Sequence, residues 1–159
     1  MRSAVVDRPL DAAAATAEVA RTANGAIVVF VGTVRDVNEG RSVTGIEYSA
    51  YRAMAERELA DVVREASERF GTADVVAEHR IGTLGLGDAS VVIAVAHPRR
   101  GMAYDASRYV IEELKQRLPI WKREHYADGT REWVVAAPRK HECADSGASG
   151  YAVPAADVR

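Results

Sequence analysis

Residues 103–135 read AYDASRYVIEELKQRLPIWKREHYADGTREWVV, and their pattern decides the fold class. Ala106, Val110, Leu114 and Leu118 recur at helical spacing, so a helix is predicted over 103–118. Pro119 ends it, because the residue before a proline is pushed out of the α region. Ile120–Tyr126 and Thr130–Val135 then flank Asp128-Gly129, a strong local signal for a β-hairpin. A helix is followed here by a pair of strands rather than by one.

The same rhythm extends back to the N-terminus. Residues 3–6 read as a short strand, and Pro9 to Thr22 as an Ala-rich helix stopped by Asn24-Gly25. Ala26–Arg35 is β-rich and reads as a well-buried strand, 36–41 as a polar loop, and Val43–Tyr51 as a second strand. Arg52–Phe70 is the clearest helix, with Gly71 as its C-terminal stop. Strands at Ala73–Ile81 and Ala89–Ala96 are joined by the Gly-rich stretch TLGLGD. Helices alternating with strand pairs predict an α+β fold with a largely antiparallel sheet and three main helices. A doubly wound parallel sheet would alternate single strands with helices. After Ala136 the composition shifts to Pro, Ser, Gly and Lys. Residues 1–136 are therefore read as one domain and 137–159 as a mobile tail.

Composition narrows the function classes. The formal net charge of −2 argues against a general nucleic-acid binder. No apolar run approaches the about 18 residues of a membrane span, and Met1–Leu10 has no apolar signal core. A cytoplasmic protein that binds neither membrane nor nucleic acid is the expectation. One cysteine, Cys143, excludes an internal disulfide and a multi-thiolate metal site. The four histidines, His79, His97, His125 and His141, lack metal-ligand spacing. GTLGLG (82–87) has neither dinucleotide-loop order nor a Walker lysine, and no G-x-S-x-G elbow is present. No metal and no cofactor are expected.

The candidate chemistry lies around one corner, LKQRLPIWKRE (114–124). Lys115 falls about 100° around the helix from the middle of the apolar stripe, which predicts a place at its border. Strand alternation sets Ile120, Lys122, Glu124 and Tyr126 on one face. Two lysines thus flank the corner and can converge on a pocket. Neighbouring cations and partial burial both lower a lysine's pKa, which suits proton transfer. From spacing alone, solvated lysines near a helix end are the plainer reading. Arg35 stands where a strand hands over to a loop, and Arg99-Arg100 where a strand meets a helix. Arginine forks beside helix N-terminal amides suit a phosphate.

Several long stretches together resemble the large, catalytic subunit of molybdopterin synthase. They are FVGTVRDVNEGRSVTGIEYSAYRAMA (30–55), HRIGTLGLGD (79–88), LKQRLPIWKRE (114–124) and DGTREWV (128–134). The resemblance runs from about Gly25 to Val134. It implies an α/β hammerhead-type fold and a homodimer at the centre of a heterotetramer. It implies a small ubiquitin-like partner whose C-terminal Gly-Gly carries a thiocarboxylate. The implied substrate is cyclic pyranopterin monophosphate, and the product molybdopterin with its dithiolene. Lys115 and Lys122 match the family's two active-site lysines. Thr33, Val34, Arg35, Arg100, Lys122, Arg123 and Glu124 match its substrate-contact positions. The family's His-Arg pair before the last long helix falls on Arg99-Arg100, so an arginine replaces the histidine and His97 lies two residues earlier. A sulfur transferase whose own thiol lies in a tail needs its sulfur brought by a partner, which agrees with the resemblance. Two other classes fit the residues alone, an anion-binding regulatory module and a Schiff-base lysine enzyme.

Overall fold

The computed structural model describes residues 1–134. The predicted tail, the boundary at 136, His141 and Cys143 lie outside the described residues. Among the described residues, two sheets and three helices make up the fold. The first sheet runs β1 (Arg2–Val6), β5 (Val75–Arg80), β7 (Ala89–His97), β2 (Ala26–Thr33). Its β1–β5 pair is parallel, and its other pairs are antiparallel. The second runs β3 (Val37–Asn38), β4 (Arg41–Ala50), β8 (Ile120–Tyr126), β9 (Arg131–Val134), with β6 (Gly82–Leu84) also paired to β4. The helices are α1 (Ala12–Val19), α2 (Arg52–Phe70) and α3 (Arg100–Arg117). The α+β class, the antiparallel bias and the three helices match the prediction.

Burial explains the order of layers. On α2, Ala55, Leu59, Val62, Val63 and Ala66 form a stripe at helical spacing. With Val110, Ile111 and Leu114 of α3 it packs against Val75, Ala77, Val91, Ile93 and Val95 of the first sheet. The opposite face of that sheet buries Val76, Val92, Ala94 and Ala96 under Ala15 and Val19 of α1. β7 is covered on both faces, so its sequence is a nearly unbroken apolar run. Gly71 closes α2 in the left-handed region at φ 68°, where glycine avoids the Cβ penalty. No described helix is long and apolar enough to cross a membrane.

The structure corrects several boundaries. α1 ends at Val19 rather than Thr22, and α3 begins at Arg100 rather than 103. β2 stops at Thr33, which leaves Arg35 beyond the strand. The predicted 36–41 loop holds β3, turned back onto β4 through Glu39-Gly40. The Gly-rich stretch holds β6. Strands of two and three residues show no periodicity of their own and exist through pairing with β4.

β2 forms one edge of the first sheet. Phe30 turns inward, while Ile27, Val29 and Val31 point the other way and are 39%, 37% and 40% exposed. They share a face with Ala96, Ala94 and Val92, their cross-strand partners. An apolar stripe therefore continues from the core under α1 out to an open edge.

Candidate active site

Thr33, Val34 and Arg35 leave the end of β2 as a fixed segment. Val34 is 3% exposed, with Thr33 and Arg35 exposed on either side. The Val34 N–H donates to the Asp88 carbonyl at 3.0 Å, and the Val34 carbonyl accepts from Gly87 N–H at 2.8 Å. The Asp88 carboxylate accepts from Gly85 N–H at 3.1 Å and from Arg80 at 3.2 Å. The Gly-rich loop thus holds the backbone from which Arg35 projects.

Glu124 is the centre of this end of the molecule. It is 2% exposed, on β8. Its Oε1 pairs with Lys122 Nζ at 2.8 Å. Its Oε2 accepts from Asn38 Nδ2 at 2.8 Å and from the Tyr126 hydroxyl at 2.8 Å. Burial pushes its pKa up, but the donors Lys122, Tyr126 and Asn38 outweigh burial and hold it below the ordinary carboxylate range. The same bond to Glu124 raises the Tyr126 hydroxyl. Arg41 stacks on the Tyr126 ring at 3.5 Å and reaches Glu132 at 2.9 Å and Asp128 at 3.3 Å. Asn38 also accepts from Arg35 Nη2 at 2.6 Å. The predicted shared face of Lys122, Glu124 and Tyr126 is present. Arg123 points to the other face, where it pairs with Glu47, lowers the Glu47 pKa and stacks 5.2 Å from the Trp133 ring.

Lys115 occupies the last turn of α3, where a cation is favoured. It is exposed rather than at the border of the buried stripe. The buried stripe of α3 ends at Leu114, and the next two residues, Lys115 and Gln116, are both exposed. Lys115 and Lys122 still flank the Leu118-Pro119 corner as predicted.

Arg99 and Arg100 lie elsewhere. They open α3, at the end of β7 where His97 pairs with Ala26. Arg100 and Lys115 are separated by about 22 Å along the helix axis. The eight residues of β2 put about 24 Å between the Ala26 and Thr33 ends. One chain therefore does not bring Arg100 to Arg35. Both arginines are exposed, and among the described residues no side chain caps the start of α3, its N-cap Arg99 included. His97 does not stand in for a surface histidine. It is 5% exposed, and its Nδ1 accepts from the Arg99 N–H at 2.9 Å, fixing the turn. An open depression of about 730 Å³ surrounds Gly25, Pro98, Arg99, Arg100 and Tyr104. A Cβ at Gly25 would sit 2.8 Å from the Pro98 carbonyl oxygen, so glycine is required for that approach.

Asn38, Tyr126 and Arg41 escaped the reading of the sequence as functional positions. Asn38 stood in what read as a polar loop, and only the alternation along β8 hinted that Tyr126 joins the site.

Comparison with known proteins identifies the family. The family model described as MoaE protein matches residues 5–117. A molybdopterin synthase catalytic subunit of Halalkalibacterium halodurans is 43% identical over 133 residues, covering 84% of this chain and 85% of that protein. The crystal structure of molybdopterin synthase from Staphylococcus aureus superposes with a TM-score of 0.78 at 36% identity, covering 83% of this chain and 96% of that one. A chain from the complex of subunits 1 and 2 of molybdopterin-converting factor from Helicobacter pylori shares the fold, with a TM-score of 0.66 at 24% identity over 91% and 97% of the two chains. The chain belongs to the MoaE family of molybdopterin synthase catalytic subunits, the sulfur-transferring subunits of that enzyme.

Proposed function

We propose that this chain transfers sulfur in the cytoplasm from the C-terminal thiocarboxylate of a small ubiquitin-like Gly-Gly partner to cyclic pyranopterin monophosphate. The product is molybdopterin with its dithiolene. The working unit is a homodimer at the centre of a heterotetramer. The observation that carries the reading is the separation of the anion-binding residues along β2. Arg35 and Lys122 stand at one end and Arg99-Arg100 at the other, with the open apolar edge of Ile27, Val29 and Val31 between. A two-fold contact is self-complementary, so antiparallel pairing of β2 with its copy covers that edge. It also sets the Ala26 end of one chain against the Thr33 end of the other. Arg99 and Arg100 of a second copy then face Arg35, Lys115 and Lys122 of the first.

The assembled site suits a phosphate and a moving proton. The arginines and the uncapped α3 amides take the phosphate. The partner's thiocarboxylate sulfur attacks a side-chain carbon of the pterin, and the C–O bond at that carbon breaks, its oxygen leaving on a proton or on the phosphate. Water then cleaves the acyl–sulfur bond, which leaves the sulfur on the pterin and releases the partner's terminus as a carboxylate. A second thiocarboxylated partner repeats the exchange to complete the dithiolene. Glu124 holds Lys122 as a charged stabiliser of the carbonyl and phosphate. Lys115 takes the proton-transfer role. Thr33 and the backbone of Val34 shape the wall, Arg123 supports β8 from its far face through Glu47, and Glu124 acts through Lys122 because its oxygens are occupied.

Single-turnover assay with thiocarboxylated partner and pterin substrate tests the reading. General acid–base groups contribute roughly 10²–10⁴-fold, and Lys115→Ala should lose that much while partner binding persists. Lys115→Arg should be equally poor, because guanidinium keeps its proton at working pH. Near-normal turnover by Lys115→Arg would reduce Lys115 to a point charge.

A further inference from the structure

Arg35 projects from the chain just past the end of β2 and is exposed. A long side chain in that position loses rotamer freedom when it binds a ligand, unless something already holds it. Asn38 does. Its Oδ1 accepts from Arg35 Nη2 at 2.6 Å, and its Nδ2 donates to Glu124 Oε2 at 2.8 Å. We propose that Asn38 is a positioning residue that locks Arg35 in register with the Glu124–Lys122 pair. The proposal rests on the reading of Arg35 as a phosphate ligand.

The chemistry of the bridge demands an amide. One side must accept from a guanidinium and the other must donate to a carboxylate, and the two ends of a primary amide do both. The opposite amide orientation would set NH₂ against guanidinium and oxygen against carboxylate, so the partners fix the orientation. A carboxylate in place of the amide would satisfy Arg35 but confront Glu124. An apolar side chain would satisfy neither.

The backbone that presents Asn38 is rigid for local reasons. Asn38 lies opposite Arg41 in a two-residue hairpin whose turn residues, Glu39 and Gly40, have φ of 49° and 78°. Positive φ at both positions fits a type I′ turn. Arg41 is tied in turn to Asp128, Thr130 and Glu132 on the β8–β9 hairpin and to the Tyr126 ring. The β3–β4 hairpin is thus clamped to the strand that carries Lys122 and Glu124. A displacement of Arg35 by phosphate is felt at Glu124 through one side chain.

The test is a double-mutant cycle in the full chain with thiocarboxylated partner and cyclic pyranopterin monophosphate. Asn38→Ala should raise KM about tenfold, or about 1.4 kcal/mol, with kcat changed less than about threefold. In an Arg35→Ala background the same substitution should change KM less than about twofold, because Asn38 acts through Arg35. Asn38→Asp should not rescue, despite its shape. A structural role alone would give equal losses in both backgrounds, and that outcome overturns the proposal. So does an unchanged KM in Asn38→Ala with an intact melting temperature. A second readout needs no turnover. The Arg35 guanidinium NMR signal should be restrained in the parent protein and averaged in Asn38→Ala. If Arg35→Ala leaves KM unchanged, the phosphate reading fails, and the guanidinium signal alone decides whether Asn38 holds Arg35.

Discussion

At the Thr33 end of β2, polar side chains are bound to one another before any ligand arrives. Glu124 takes three donors, Asn38 bridges to Arg35, and Arg41 closes the cluster over Tyr126. At the Ala26 end, Arg99 and Arg100 stand exposed around an uncapped helix start. The first end is organised within the chain, and the second presents loose cationic charge. A network with most partners in place resists rearrangement, whereas arginines with no side-chain partner among the described residues are open to a ligand or another chain. On the proposed function, the difference makes the two ends half-sites that a second copy of the chain completes.

The largest expected effect probes the organised end through the seam between the sheets. His79 of β5 meets Tyr48 of β4 edge-on at 5.2 Å, and its Nδ1–H donates to the Arg80 carbonyl at 2.9 Å. Burial pushes its pKa down from an ordinary 6.5 to about 4. The folded state therefore binds fewer protons than the unfolded chain between those values. Its contribution is fully present above pH 6.5 and is lost as pH falls toward 4, up to about 3 kcal/mol. Denaturant titrations at pH 7.5 and 5 should show the parent losing stability and His79→Gln losing less. Equal slopes for the two proteins would mean that the seam carries no buried neutral imidazole.

The next effect separates the two ends by what each substitution disturbs. Charge-assisted hydrogen bonds contribute about 1.5–3 kcal/mol each, so Arg100→Ala should weaken substrate binding roughly 10–150-fold. Its melting temperature should stay within error, because the side chain is exposed and pairs with no side chain among the described residues. Arg35→Ala should weaken binding over the same range. Unchanged substrate affinity in both variants, measured by titration, would contradict the phosphate role and erase the functional contrast.

The elements that carry their own signals were legible in the sequence. α2 and α3 show helical periodicity with Gly71 and Pro119 as stops, and Asp128-Gly129 marks the last hairpin. The shared face of Lys122, Glu124 and Tyr126 follows from alternation alone, and the hydrogen bonds bear it out. β3 and β6 were not legible, because two or three residues hold no period and their order comes from β4. The exposure of Lys115 was not legible either. A helical wheel places a residue at the edge of a stripe without saying which flank a neighbouring layer covers. The separation of Arg35 from Arg100 needs the β2–β7 register, which brings Ala26 to His97 and Thr33 to Ala89. Asn38 read as loop because its hydrogen bond to Glu124 spans 86 residues of chain.

The central claim is that the site is shared between two copies, and intersubunit complementation tests it most directly. Arg100→Ala and Lys115→Ala homodimers, each strongly impaired with thiocarboxylated partner at substrate concentrations well below the parent KM, are mixed under conditions that exchange subunits. If Arg100 serves its neighbour, a mixed dimer holds one site with both defects and one with neither. Random exchange makes half of the dimers mixed, so activity should return to about a quarter of the parent value. If Arg100 and Lys115 act within one chain, every site keeps one defect and the mixture stays as inactive as its components. That result would contradict the shared site.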